Sequence, residues 1–240
     1  RACHETQLKW GPATVTKNIA VVGAGPAGLA YATVAAERGH AVTLYDAADE
    51  VGGQFNLAKQ VPGKEEFHET LRYYRAMLEK YDVTVKLGQR VDADQLSDAG
   101  FDHVVVATGI SPRVPQIPGI EHEKVVGYID AIKGNKPIGK RVAVIGAGGI
   151  GFDVTELITH EGPSSALDIN LFAQEWGVDF ENHPRGGVTG VEPVINKADR
   201  EVWLMQRKET PVGRGLGKTT GWTKRLLLNR RGVNMVNAGE

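Results

Sequence analysis

Short apolar runs alternate along the chain with longer stretches in which apolar residues recur every three or four positions. The runs NIAVVG (18–23) and AVTLYD (41–46) flank PAGLAYATVAAERG (26–39). A short continuous apolar run is typical of a strand buried on both faces. Pro26 suits the first turn of a helix, where its missing N–H is not needed. The pattern predicts a βαβ unit over residues 18–46.

Further elements of the same kind follow this unit. An amphipathic helix is predicted over 65–81, and strands over 83–87 and 103–109. SPRVPQIPG (111–119) then contains three prolines in nine residues and reads as a linker.

The pattern restarts at residue 140. KRVAVIG (140–146) predicts a strand that runs into a glycine-rich helix start, and residues 162–200 read as a long polar excursion or loop. The later elements are a strand over 201–206, a helix over 219–232 and a strand over 233–237. Alternating strands and helices predict an α/β fold with two Rossmann-like, doubly wound dinucleotide-binding units. The predicted organisation is a tail at 1–17, a first dinucleotide-binding domain at 18–136 and a second at 137–240.

The first glycine cluster spells G-x-G-x-x-G between a strand and a helix, the context that this motif requires. Gly23 permits the tight turn, Gly25 lets the backbone approach a pyrophosphate, and Gly28 lets the helix pack closely on the strand. Asp46 ends the next strand, where a carboxylate would hold the hydroxyl pair of a ribose. These residues predict a dinucleotide site rather than a turn that serves packing alone.

The second cluster repeats the motif with Gly146, Gly148 and Gly151, but its next strand ends differently. Gln206 stands in place of the acid, and Arg207 and Lys208 follow directly. A missing carboxylate and two cations favour the 2′-phosphate of NADP, although a solvated basic turn is the alternative.

Two dinucleotide sites suggest that one holds FAD and the other presents a nicotinamide to it. Asp46 marks the first unit as the FAD site. Gly52-Gly53-Gln54 follows that strand, and Thr108-Gly109 ends another strand at the same edge, so both stretches should face the cofactor.

Composition narrows the class of protein without defining its function. The chain has 28 Lys and Arg against 29 Asp and Glu, a net charge of −1, which gives no electrostatic reason for binding nucleic acid or an anionic membrane. One cysteine excludes a disulfide or a cysteine-rich metal centre within these 240 residues. No apolar run reaches the roughly 20 residues that cross a bilayer, and the first residues lack a signal peptide, which favours a cytoplasmic protein.

Three further features of the sequence are weaker candidates for a functional site. Gly213–Thr219 looks like a phosphate loop, but Val212 replaces its first glycine, so a supporting role at the NADP phosphates is preferred. Cys3 and His4 are too few to form a metal site, and we expect none. Tyr73, Tyr74 and Trp222 are expected to pack rather than to perform chemistry.

Several longer stretches give the chain a family resemblance. RACHET, KNIAVVGAGPAGLA, GGQFNLAKQVPGKEEF, VAVIGAGGIGFD and GLGKTTGW together resemble the bacterial NADPH-dependent 2,4-dienoyl-CoA reductases along essentially the whole chain. The resemblance implies that NADPH reduces FAD by hydride transfer. Electrons would then pass through a 4Fe-4S cluster to FMN, which reduces a dienoyl-CoA bound in a TIM barrel. The barrel, FMN and the cluster would lie outside this chain.

The resemblance also implies site residues. Ala27, Gly28, Asp46, Gln54, Lys64 and Val91 fall where the family contacts FAD, with the Val91 backbone at the adenine, and Arg207 and Lys208 fall near the NADP phosphate. No catalytic acid or base is expected here, because the proton donor of this family would lie in the barrel. The resemblance further implies an interior fragment in which both units, the FAD-binding domain at 18–136 and the NADP-binding domain at 137–240, are incomplete. Unpaired sheet edges would then make the chain poorly soluble.

Two alternatives stay open. One is a flavoprotein of the trimethylamine or histamine dehydrogenase type, which passes electrons outward and needs no working nicotinamide site. The other is a nucleotide-binding module without turnover.

Overall fold

The computed structural model describes residues 3–4, 6–182 and 188–239. It divides into two compact units. The first comprises Arg1–Ala58 and Glu66–Val114, and the second comprises Lys59–Glu65 and Pro115–Glu240. The division therefore falls within the proline-rich stretch, and a seven-residue piece of the first half of the sequence belongs to the second unit.

The first unit is a parallel α/β layer structure. Its elements are β1 (Asn18–Val22), α1 (Pro26–Glu37), β2 (Ala41–Tyr45), α2 (Phe55–Ala58), α3 (Phe67–Lys80), β3 (Thr84–Lys86), α4 (Ala93–Asp98) and β4 (His103–Val106). The strand order is β3-β2-β1-β4, with every pair parallel. The chain winds outward from β1 to β3 and then returns to the other side of β1. This reversal makes the crevice between β1 and β4 the place where such folds bind ligands.

The core of the first unit lies between the sheet and helices α1 and α3. Val21, Leu29, Leu44 and Leu71 are buried completely or almost so and belong to one cluster. Burying each such side chain contributes roughly 1.5–3 kcal/mol, which fixes the sheet from which the loops at the carboxyl edge extend.

The second unit repeats the plan with fewer strands. Its elements are α5 (Tyr128–Lys133), β5 (Arg141–Ile145), α6 (Gly149–Thr159), a 3₁₀ turn (Ser165–Leu167), α7 (Ile169–Trp176), β6 (Glu201–Met205), α8 (Gly221–Arg230) and β7 (Asn234–Val236). The parallel sheet has the order β5-β6-β7. Phe152, Val202, Leu204 and Leu228 form its buried core. The predicted class, α/β with a parallel sheet in each of two Rossmann-like units, is confirmed.

The excursion over 162–200 is not all loop, contrary to the sequence prediction, because α7 lies within it. The Asp168 side chain accepts from the N–H groups of Asn170 and Leu171, and Gly177 ends the helix in the left-handed region. The helix is attached to the unit by the guanidinium of Arg231, which is 6% exposed and lies 3.2 Å from the Glu175 carboxylate.

The sequence prediction also missed three short helices, α2, α4 and α5. Helix α4 begins with a capping box in which the Asp92 side chain accepts from the Gln95 N–H and the Gln95 side chain accepts from the Asp92 N–H. Among the helices of the described residues, none is long and apolar enough to cross a membrane.

Candidate functional site

The turn between β1 and α1 can be built only with glycine at two positions. Gly23 has φ +108°, and a β-carbon on it would lie 2.3 Å from the carbonyl oxygen of Ala107. A β-carbon on Gly28 would lie 1.8 Å from the carbonyl oxygen of Gly23. The Gly23 N–H donates to the Tyr45 carbonyl at 2.8 Å, which ties the turn to the end of β2. The tight-turn and close-packing roles predicted for these glycines agree with this geometry.

Helix α1 begins without a side-chain cap. Its N-cap is Gly25, and no side chain accepts from the first-turn N–H groups. Helices α4 and α7, by contrast, are capped by Asp92 and Asp168. Because a first turn leaves N–H groups without partners inside the helix, the start of α1 suits an anion such as a pyrophosphate.

Asp46 follows β2 and holds the glycine turn. One carboxylate oxygen accepts from the Ala24 N–H at 2.6 Å and the other from the Ala48 N–H at 2.8 Å. Each oxygen keeps a further lone pair, so the half-buried carboxylate is able to accept from ribose hydroxyls as well. The residues present therefore fit the adenosine end of FAD.

The other residues predicted at this site lie on loops that reach the same edge. The Gly52 N–H donates to the Ala24 carbonyl at 2.8 Å, and Gly53 packs on Gly25, since a β-carbon on Gly53 would lie 3.0 Å from the Gly25 Cα. Gln54 follows directly and is exposed. The structure thus brings the Gly52-Gly53-Gln54 stretch to the α1 start, next to Ala27.

Two more loops converge on the first site. Thr108 and Gly109 follow β4, and the Thr108 Cα would lie 3.1 Å from a β-carbon on Gly23. Val91 lies two residues after Gln89, whose N–H donates to the Asp46 carbonyl at 2.9 Å. All of these residues therefore gather at the carboxyl edge of the first sheet.

Lys64 differs from the other residues predicted to contact FAD because it belongs to the second unit. There its ammonium lies 2.5 Å from the Asp153 carboxylate on α6. Its predicted contact with FAD stays a prediction.

The turn between β5 and α6 repeats the first turn closely. Gly146 has φ +109°, its N–H donates to the Met205 carbonyl at 2.9 Å, and a β-carbon on Gly151 would lie 1.8 Å from the Gly146 carbonyl oxygen. Gly148 is the N-cap of α6, again without a side-chain cap. The second helix therefore offers a second anion site of the same design.

The two units differ at the residue that follows the second strand of each βαβ unit, which is Asp46 after β2 and Gln206 after β6. Asp46 faces the first glycine turn, whereas the Gln206 side chain bonds the loop that follows it, donating to the carbonyls of Lys208 at 3.1 Å and Thr210 at 2.5 Å. The side chains of Arg207 and Lys208 are exposed. The cations are thus exposed to solvent, and their predicted contact with a 2′-phosphate stays a prediction.

A buried group of charges on α6 was missed by the sequence analysis. Asp153 accepts from both Lys64 and Lys224, and Glu156 accepts from Lys224 at 2.7 Å. Burial is the largest single influence on the pKa of Lys224 and lowers it. The charges and hydrogen bonds of Glu156 and Asp153 together outweigh burial, so the pKa of Lys224 is raised above its ordinary value. Two acids three positions apart in an apolar helix were the available signal.

The other segments agree only in part with their predicted roles. Gly213 has φ +81°, and a β-carbon on it would lie 2.7 Å from the Arg225 side chain; the predicted supporting role of this segment at the NADP phosphates stays a prediction. Tyr74 packs on the core of the first unit. The prediction that Tyr73 and Trp222 pack is wrong, because they are 52% and 62% exposed. The Trp222 indole N–H donates to the Thr219 carbonyl.

Comparison with known proteins decides the family. A model of the pyridine nucleotide-disulphide oxidoreductases matches residues 17–238. The chain belongs to the pyridine nucleotide-disulphide oxidoreductase family. It is accordingly a flavin- and NAD(P)-dependent oxidoreductase module. These 240 residues contain one cysteine, so they hold no cysteine pair.

Relatives of this family member are longer proteins. A metal reductase of Desulforamulus reducens is 27% identical over 241 aligned positions, which cover 98% of this chain and 35% of that protein. An N,N-dimethylglycine/sarcosine dehydrogenase of Chromohalobacter salexigens is 38% identical over 147 residues, which cover 59% of this chain and 21% of that protein. A solved structure of a 2-naphthoyl-CoA reductase complex matches with a TM-score of 0.74 at 25% identity. The match covers 95% of this chain and 29% of the chain in that structure. The chain spans about a third or less of each relative.

Proposed function

We propose that the chain binds FAD in its first unit and NADPH in its second and passes reducing equivalents from NADPH to FAD. The observation that supports this most directly is the repeated glycine turn. Two helices begin at uncapped glycines after matching turns, and they differ in the residue that follows the next strand, Asp46 or Gln206.

In this proposal the residues of the first unit position FAD. The start of α1 receives the pyrophosphate, and the Asp46 carboxylate accepts from the adenosine ribose. Gly25 and Gly53 leave the approach to the helix free of side chains, and Val91 contacts the adenine through its backbone. Gln54, Thr108 and Gly109 contact the cofactor further along.

The second unit positions NADPH in the same manner. The start of α6 receives the pyrophosphate, while Arg207 and Lys208 bind the 2′-phosphate through charge-assisted hydrogen bonds. When bound, NADPH supplies a hydride, which FAD accepts together with a proton from water. The protein's contribution is alignment and electrostatics, so it needs no acid or base of its own.

We further propose that the whole protein is a reductase of the 2,4-dienoyl-CoA reductase type. The relatives include a 2-naphthoyl-CoA reductase and a cinnamate reductase of Clostridium sporogenes, whose names describe unsaturated substrates. Electrons would leave FAD through a 4Fe-4S cluster and FMN toward an unsaturated acyl-CoA, all carried by parts of the protein outside this chain.

An amine dehydrogenase is the second candidate, and the 38% identity to the dimethylglycine/sarcosine dehydrogenase favours it. Such an enzyme sends electrons outward from a substrate-reduced flavin. The paired cations at 207 and 208 favour the reductase, because an exporter needs no site for NADPH.

The visible spectrum of the purified chain, supplied with FAD and then anaerobic NADPH, tests the proposal. Bleaching of the bound flavin band supports a reductase module. A bound flavin that stays oxidised favours an electron-exporting relative or a module without turnover. Absence of bound flavin contradicts the FAD assignment for this chain.

A further inference from the structure

The loop after β6 is held in place by one amide. The Nε2 of Gln206 donates to the carbonyl oxygens of Lys208 and Thr210, and the Gln206 N–H donates to the Val236 carbonyl at 3.0 Å. The Lys208 carbonyl also accepts from the Ala238 N–H at 3.4 Å. The backbone that carries the two cations is therefore tied both to its own strand and to the chain after β7.

The amide uses its donors fully in this arrangement. A glutamine NH₂ has two N–H groups, and two carbonyl oxygens accept from them. A carboxylate of the same size has no donor, so it would face the same two carbonyl oxygens without a bond and with like partial charges. The position therefore requires an amide for a reason separate from the absence of an acid.

Comparison with the first unit shows what the amide replaces. The residue after β2 is Asp46, and its side chain bonds both the glycine turn, through Ala24, and the following loop, through Ala48. The Gln206 side chain after β6 bonds the following loop, through the carbonyls of Lys208 and Thr210. The second unit thus uses this position to hold the loop by donating to it, whereas the Asp46 carboxylate accepts from its turn and its loop.

We propose that Gln206 is a positioning residue that determines the preference for a 2′-phosphorylated adenosine. Its amide fixes the backbone of residues 207–210, so that Arg207 and Lys208 face the anion already ordered. Ordering such a loop at the moment of binding would cost conformational entropy. The inference rests on the proposed NADPH function, because it concerns the 2′-phosphate end of that site.

The test compares two probes that differ only in the 2′-phosphate, adenosine 2′,5′-bisphosphate and adenosine 5′-monophosphate. Calorimetry gives the ratio of their affinities for the full chain, for Gln206→Leu and for Gln206→Glu. We expect the leucine variant to lower the ratio by about tenfold and the glutamate variant by about a hundredfold, in line with losing one or two charge-assisted contacts. Gln174→Leu, an exposed change on α7, is the matched control and should leave the ratio unchanged.

A second measurement reports on the loop itself. Amide exchange at Ala238 should accelerate in Gln206→Leu and stay unchanged in the control, because the Lys208 carbonyl loses its fixed position.

The outcomes separate the inference from the function on which it rests. A wild-type ratio in Gln206→Leu overturns the positioning role and leaves the NADPH assignment standing. An equal loss of affinity for both probes shows a general structural defect and also overturns it. A wild-type chain that does not distinguish the probes contradicts the NADPH assignment, and the inference falls with it.

Discussion

The Lys64 ammonium lies 2.5 Å from the Asp153 carboxylate within the second unit, although the two residues are 89 positions apart. Asp153 also accepts from Lys224 at 3.1 Å. Removal of Lys64 therefore leaves the acid with a partner, whereas removal of the acid takes this partner from Lys64 and leaves Lys224 with Glu156.

This asymmetry predicts unequal costs in stability. Lys64→Met should lower the free energy of unfolding by about 0–1 kcal/mol, and Asp153→Asn by about 1–3 kcal/mol. Urea unfolding followed by circular dichroism measures both, with the exposed Lys133→Met as a control for removing a lysine. A larger loss from Lys64→Met than from Asp153→Asn would show that the ion pairs are not shared in this way.

Alkaline pH should weaken the second unit through Lys224. Its pKa is raised in the folded chain, so its stabilisation is fully present below the ordinary value of 10.5 and is lost as pH rises through the folded pKa. The urea midpoint should fall as pH rises above 10.5, and Lys224→Met should flatten that fall. Tyr74, whose pKa is raised by burial and by Tyr73, acts in the same direction and is common to both proteins. An identical slope in the variant would contradict the role of Lys224.

The close approach at each glycine turn predicts that a single added methyl group abolishes nucleotide binding by one unit. Gly151→Ala places a β-carbon 1.8 Å from a backbone carbonyl oxygen, so we expect loss of NADPH binding with FAD binding retained. Gly28→Ala should do the reverse. The matched control is Gly139→Ala, which meets nothing within 4 Å and lies outside both glycine turns, so both nucleotides should still bind. Fluorescence titrations with each nucleotide measure the outcome.

Two substitutions of Asp46 should separate a loss of FAD affinity from a loss of folding stability. Asp46→Asn keeps an oxygen for the Ala24 N–H but removes the negative charge, so FAD affinity should fall about tenfold or more with little change in stability. Asp46→Ala leaves the buried Ala24 N–H without its acceptor and should also cost about 1–3 kcal/mol. Asp98→Asn, at the end of α4, is the control. Equal FAD affinity in all three variants would place the ribose elsewhere.

The cations at 207 and 208 predict cofactor preference. Arg207→Ala combined with Lys208→Ala should erase the preference for NADPH over NADH, because both charge-assisted contacts to the 2′-phosphate are lost. Dissociation constants for the two cofactors, measured at low and moderate salt, test this. The preference of the wild type should also weaken with salt, since exposed charges are screened. Unchanged selectivity in the double variant would put the 2′-phosphate at another surface.

Much of the fold was predictable because the sequence repeats a strongly periodic unit. The strands that begin at 18 and 141 and their glycine turns follow from the apolar runs 18–23 and 140–146, which end in glycine. The strand that begins at 41 follows from an apolar run that ends at Asp46. Helix α7 was predictable in principle, since Asp168 and Gly177 are ordinary start and stop signals, but its polar surroundings hid the period.

The side-chain bonds of the site were less accessible. The sequence shows that Gln206 stands where an acid would favour NAD. Its bonds to Lys208 and Thr210 depend on the path of the loop, which residue spacing does not reveal. The Asp153 cluster joins residues far apart in the chain, so local patterns could not group them. Sequence patterns predict the backbone of a repeated motif well and the choice of side-chain partners poorly.

The first glycines of the two motifs, Gly23 and Gly146, have almost the same φ but different neighbours. Gly23 faces the carbonyl of Ala107, the residue after β4, whereas a β-carbon on Gly146 would meet nothing within 4 Å. Position 146 is therefore restricted by its φ alone, and position 23 by its φ and by a neighbouring strand. In a genetic selection, second-site suppressors that relax the backbone should rescue substitutions at 146. Equivalent suppressors of substitutions at 23 would also have to displace a strand of the sheet.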